Sequence, residues 1–287
     1  MLKNNSKILV PIDFSEQSLI ALSQSYNLAK NIKAEVVLLY VIDEVNPMVK
    51  MFIKGLDEIR GAVESNLKSL ADEKIKETGL KISTLVEEGK IYQVINDVAK
   101  KMEATFIVMG TKGVESSKFI GSNALKVVKT APCPVITIKG KEHNKGCGKI
   151  VLPLDLTKET SDKVNKAIEI AKIFDAEICA VSILLTGKED VVSKLKDQLL
   201  LVQNYIIKNK VNCTAEMVKI LKKDDKLSHA VIAYAEKIDA DLIMIMTQQE
   251  KDIKEFFIGS HAREIINISD IPVLSVQPSV KDRIEII

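Results

Sequence analysis

The chain has 287 residues, a length that favours two domains of ordinary size, and its 46% hydrophobic and 28% charged residues exclude a disordered chain. Lys+Arg 41 against Asp+Glu 39 gives a formal charge of +2, so no global field recruits nucleic acid or an anionic membrane, and neither is expected as a partner. With 4% aromatic residues and no Trp, the core must be aliphatic.

Residues 1–7 are polar, and the apolar run that follows stops at Asp13, too soon for a signal peptide or a spanning helix; a cytoplasmic protein is expected. Near-continuous aliphatic runs at 8–12, 36–42, 82–86, 105–109 and 135–138 predict strands of a sheet covered on both faces. Between them, Leu19, Leu22, Tyr26 and Ala29 mark one face of a helix that Ser15 opens as its N-cap. A helical pattern runs from about 48 to 78 with Gly79 as its stop, and two more helices are predicted over 94–102 and 124–130. Strand and helix alternating in this way means parallel strands joined by right-handed crossovers.

The same order then recurs. Lys7-Ile-Leu-Val-Pro-Ile-Asp-Phe-Ser15 returns as Lys149-Ile-Val-Leu-Pro-Leu-Asp-Leu-Thr157, and Ala29 and Ala34 return as Ala171 and Ala176. Phe119-Ile-Gly-Ser122 matches Phe257-Ile-Gly-Ser260, and Ala131-Pro-Cys-Pro-Val matches Ser269-Asp-Ile-Pro-Val. The chain is a duplication, with a first domain over 1–141, a polar linker over 142–148 and a second domain over 149–287. Strands of the second copy are predicted near 150–154, 178–183, 214–221, 242–246 and 273–276. An intramolecular pseudo-dimer is expected, its aliphatic last strands meeting edge to edge, and a homodimer is compatible with the same reasoning.

In a doubly wound sheet of order 3-2-1-4-5, ligands bind beyond the carboxyl ends of the strands, in the crevice between the first and fourth. The first strand ends at Pro11-Ile12-Asp13 and the fourth at Met109-Gly110-Thr111-Lys112-Gly113. Gly121-Ser122-Asn123 then opens a helix, with Ser122 expected in the capping position. Helix N-termini present unpaired N–H groups and partial positive charge, and glycine lets backbone approach phosphate oxygens, so a nucleotide phosphate is the natural ligand. Asp13 either caps the next helix or binds a ligand amine or hydroxyl; Lys112 reads as a solvated loop lysine or a phosphate partner. Four cysteines lack CxxC spacing and three histidines form no pair at helical spacing, so buried free thiols and no metal site are expected.

The strand-end Pro-x-Asp, the glycine pattern and the closing Pro-Val-aliphatic strand together resemble the universal stress protein family, over almost the whole chain and twice. The resemblance implies two tandem doubly wound, five-stranded α/β domains of adenine-nucleotide alpha-hydrolase-like fold. In the family's ATP-binding branch the corresponding residues are Pro11, Asp13 and Val41 for the nucleoside, and Gly110, Gly113, Gly121, Ser122 and Asn123 for the phosphates. ATP or another adenine nucleotide, with Mg²⁺ on its phosphates, is the implied cofactor. The family pattern is Gly-x2-Gly-x9-Gly-Ser/Thr; here Gly113 and Gly121 are separated by seven residues, 114–120. The second copy keeps nine at 250–258 but has Met246 and Gln249 at the first two glycine positions, retaining Asp155, Gly259 and Ser260. Its site is therefore expected to be degenerate.

The resemblance implies a nucleotide-dependent stress-response regulator acting on an unknown protein partner, and the lack of a Gly-x4-Gly-Lys-Ser/Thr P-loop leaves at most slow ATP hydrolysis to be expected. A nucleotide-free scaffold is the competing class, and an adenosine-handling enzyme on a related fold is a third.

Overall fold

Each half of the chain builds five parallel strands whose interiors are aliphatic on both faces. In the computed structural model the chain divides into two units, Met1–Glu142 and His143–Ile287. Residues 6–44, 56–111, 121–139, 146–154, 160–184, 188–219, 226–249, 256–257 and 259–277 are described.

The first unit runs β1 (Lys7–Pro11), α1 (Glu16–Ile32), β2 (Glu35–Asp43), α2 (Leu56–Thr78), β3 (Ile82–Gly89), α3 (Ile91–Lys101), β4 (Phe106–Gly110), α4 (Ser122–Thr130) and β5 (Val135–Ile138). Its strands lie in the order β3-β2-β1-β4-β5, all neighbours parallel. The first strand is therefore central, and the winding reverses between β1 and β4. Ile8, Leu9, Val10, Val36, Leu38, Leu39, Ile107 and Val108 are buried, which is why these runs read as unbroken apolar stretches and not as alternation.

The second unit runs β6 (Lys149–Leu154), α5 (Thr160–Phe174), β7 (Glu177–Leu184), α6 (Glu189–Lys208), β8 (Cys213–Lys219), α7 (Leu227–Lys237), β9 (Leu242–Met246), β10 (Gln248–Gln249), β11 (Phe256–Phe257), α8 (Ser260–Ile268) and β12 (Val273–Val276). Its parallel strands repeat the same order, β8-β7-β6-β9-β12. The doubly wound 3-2-1-4-5 arrangement expected from sequence is present in both units.

The duplication extends to how helices stop. Lys33 after α1 and Asp175 after α5 adopt left-handed φ of 51° and 55°, as do Glu103 after α3 and Asp239 after α7 at 51° each. In each case the next residue is an alanine whose N–H reaches five residues back: Ala34 to Ala29, Ala176 to Ala171, Ala104 to Ala99 and Ala240 to Ala235, at 2.8–2.9 Å. This is the Schellman closure, made here without glycine. The recurring alanines mark these bonds at both ends. Gly79 closes α2 at φ 69°, as its position after the helical pattern predicts.

Several boundaries differ from the sequence reading, and the start expected near 48 for the helix described from Leu56 lies outside the described residues. Helix α3 begins at Ile91, three residues before the expected 94. Strand β3 continues to Gly89 because β2 runs on to Asp43 and keeps pairing with it. After β9 the chain forms an antiparallel hairpin, Gln248 opposite Phe257 and Gln249 opposite Phe256, where an open loop was expected.

Candidate functional site

The crevice in the first unit lies beyond the ends of β1 and β4, which pair through Ile8 with Phe106 and Leu9 with Ile107. Pro11 ends β1 beside Leu39, and the Ile12 N–H continues the ladder to the Leu39 carbonyl at 2.8 Å. Strand β2 outruns β1, so Val41, partly exposed and paired with Glu87, stands at the carboxyl edge.

Asp13 begins the turn into α1. Its Oδ1 accepts from both the N–H and the hydroxyl of Ser15, while Ser15 Oγ accepts from the Ser18 N–H at 3.3 Å and caps the helix. Both sequence readings of Asp13 thus find room: one oxygen organises the turn, and Oδ2 makes no hydrogen bond among the described residues. Between them Phe14 takes φ 61°, an uncommon conformation for a bulky side chain, with its ring 5.6 Å from that of Tyr40. Left-handed backbone here turns the chain sharply from strand to helix and sets Asp13 at the rim.

Gly110 ends β4 against the first turn of α1. A Cβ placed on it would stand 3.0 Å from the Gln17 carbonyl carbon and 3.1 Å from its oxygen, so helix packing alone requires glycine here. The next residue, Thr111, is 2% exposed; its N–H bonds Ile138 O and its carbonyl accepts from the Gly121 N–H, both at 2.8 Å. That second bond brings the two ends of the glycine motif together. Gly113 and the 112–120 segment lie outside the described residues.

Gly121, and not Ser122, is the N-cap of α4, with φ −61° and ψ 145°. The correction has a physical cause: bonded to Thr111, Gly121 is held extended, and its own carbonyl already accepts the first helical N–H, from Leu125 at 3.2 Å. Ser122 and Asn123 become the first two helical residues, and among the described residues no side chain caps this end. The sequence reading missed two further groups. Gln17 Oε1 and Thr111 Oγ1 are buried without a hydrogen-bond partner among the described residues, and both adjoin Gly110.

One turn into α4, Lys126 sits 4.8 Å above the Tyr92 ring. The corresponding pair in the second unit is Glu264 and Ser228, and here the charge is reversed. Hydrogen bonds from Lys226 and Ser228 hold the Glu264 carboxyl below its usual range. Met246, at the Gly110 position, is buried; Gln249 belongs to the β10–β11 hairpin, whose paired backbone groups are withdrawn from a ligand. Gly259 caps α8 without a side-chain bond, and Ser260 follows it. Asp155 lies outside the described residues.

This arrangement suits a nucleotide. A helix start without a side-chain cap, beside a glycine-bearing strand end, offers N–H donors of the kind that bind phosphate oxygens, and the spare carboxylate oxygen is a hydrogen-bond acceptor. Among the described residues no group of three His, Cys, Asp or Glu is placed to hold a metal ion. The cysteines are free, and burial pushes the Cys133 and Cys213 thiols up to about 12, far from a poised nucleophile. Among the described residues no helix is long and apolar enough to cross a membrane.

Comparison with known proteins finds the same family in both halves of the chain. The model of the universal stress protein family matches residues 4–139 and again 147–277. Universal stress protein MJ0531 of Methanocaldococcus jannaschii is 37% identical over 139 residues, which are 46% of this chain and 81% of that protein. Universal stress protein YxiE of Bacillus subtilis is 33% identical over 146 residues, 47% of this chain and 99% of its own length. A universal stress protein from Archaeoglobus fulgidus superposes on 96% of this chain and 97% of its own, with a TM-score of 0.73 at 20% identity, a likeness of fold.

Proposed function

Because this chain belongs to the universal stress protein family, we propose that its first unit binds ATP or another adenine nucleotide and acts as a nucleotide-dependent stress-response regulator with at most slow hydrolysis. The observation that carries this reading is the N-terminus of α4, uncapped by any side chain and tied through Gly121 to the end of β4. The amides of Ser122 and Asn123 and the partial positive charge of the helix end meet the phosphates, with Gly121 leaving room for close approach and Gly113 taking the part that the family pattern gives it. Pro11 and Val41 wall the base, and Asp13 Oδ2 accepts from a ribose hydroxyl. Gly110 serves first to let α1 pack and so to bring Asp13 and the β4 end into one crevice. When bound to the phosphates, Mg²⁺ would neutralise part of their charge; no side-chain cage for it is needed.

The spacing of seven residues between Gly113 and Gly121, against nine in the family pattern, favours a second reading, a nucleotide-free scaffold. Mass spectrometry of small molecules released on denaturing freshly purified protein separates the two. An adenine nucleotide in amounts comparable with the protein is expected. Protein that releases none, and binds none at millimolar concentration, is a scaffold.

A further inference from the structure

We propose that the Thr111 hydroxyl is a ligand-binding group of the first unit, donating to a phosphoryl oxygen seated at the head of α4; the inference rests on the nucleotide reading above. Both backbone groups of Thr111 are engaged, the N–H with Ile138 and the carbonyl with Gly121. Its side chain is buried, and Oγ1 has no partner among the described residues. Such a group destabilises the ligand-free fold, because it has lost its water and gained nothing.

The second unit shows that folding alone can satisfy this hydroxyl. Thr247 stands at the same place after β9, with its N–H on Val276 O at 2.9 Å, and its Oγ1 donates to that same carbonyl at 3.3 Å. Thr111 N–H reaches the corresponding carbonyl, that of Ile138, yet its hydroxyl does not. The difference falls in the unit that keeps its glycines. Directly beside Thr111 is the uncapped N-terminus of α4, and one turn along that helix stands Lys126. A hydroxyl with no partner among the described residues and a helix start without a side-chain cap both call for an anionic oxygen, and phosphate supplies several.

The test compares Thr111→Val, which keeps the shape and removes the hydroxyl, with Thr111→Ser, which keeps the hydroxyl, and with Thr247→Val. ATP and adenosine are titrated calorimetrically, and the melting temperature of nucleotide-free protein is recorded. Thr111→Val should weaken ATP about tenfold or more, leave adenosine within about twofold, and leave ligand-free melting unchanged or higher. Thr111→Ser should restore ATP affinity. Thr247→Val should lower the melting temperature and leave ATP binding alone. Unchanged ATP affinity in Thr111→Val overturns the inference, and so does a fall in ligand-free melting matching that of Thr247→Val, which would show the hydroxyl already partnered within the fold. If the unmodified chain binds no ATP, the nucleotide reading fails first, and the inference with it.

Discussion

Asp13 divides its carboxylate between structure and ligand, and substitutions can separate the two. Oδ1 holds Ser15, which caps α1, so Asp13→Ala removes a turn as well as a charge. Asp13→Asn keeps an oxygen for Ser15 while losing the negative charge. Adenosine binding should fall about 10- to 100-fold in both variants, matching a charge-assisted hydrogen bond of roughly 1.5–3 kcal/mol. Only Asp13→Ala should also lose about 1 kcal/mol of stability in urea unfolding, as loss of a capping arrangement does. Equal destabilisation with intact adenosine binding would confine Asp13 to the turn. Sequence could raise both roles for this residue and not decide between them, because which oxygen is occupied depends on how Ser15 and Ser18 fold back.

At the scale of elements, the two glycines at the ends of the motif have different reasons to be glycine. In Gly110→Ala the new methyl meets Gln17 backbone at 3.0–3.1 Å, so α1 must shift, at a cost of about 1–3 kcal/mol. In Gly121→Ala the nearest neighbour is Thr111 O at 3.5 Å and φ is −61°, so nothing need shift and the loss should stay at or below about 1 kcal/mol, from alanine's poorer fit to the N-cap. Chemical denaturation distinguishes these outcomes, and ATP titration of stable Gly121→Ala then reports on the ligand alone; a severe folding defect in Gly121→Ala would contradict this division. The strands, their order and most helices were legible because buried parallel strands leave unbroken aliphatic runs and the repeat doubles every marker. Left-handed Lys33, Glu103, Asp175 and Asp239 were not, since non-glycine residues there give no local sign. Nor was the β10–β11 hairpin, a two-residue pairing too short to leave a periodicity. Ser122 was misplaced by one position because the bond fixing Gly121 comes from Thr111, ten residues earlier in sequence. The orphan hydroxyl of Thr111 is likewise a tertiary fact.

Across the whole molecule, one fold is used twice with opposite chemistry at the corresponding helix start. The first unit offers Gly121, an unpaired Thr111 hydroxyl and Lys126; the second offers a satisfied Thr247, a hairpin and Glu264. A phosphate at α8 would meet a carboxylate one turn along, held ionised by Lys226 and Ser228, and fewer free backbone donors. With a formal charge of only +2, no long-range attraction offsets that local difference. Nucleotide binding should accordingly be asymmetric, and the most direct measurement is the stoichiometry of ATP binding to the unmodified chain by isothermal titration calorimetry. About one ATP per chain is expected, bound at least about tenfold more weakly after substitution of Asp13 or Thr111 and untouched by Thr247→Val. Two equivalent sites per chain, or a single site that survives loss of Asp13 and Thr111, would contradict it.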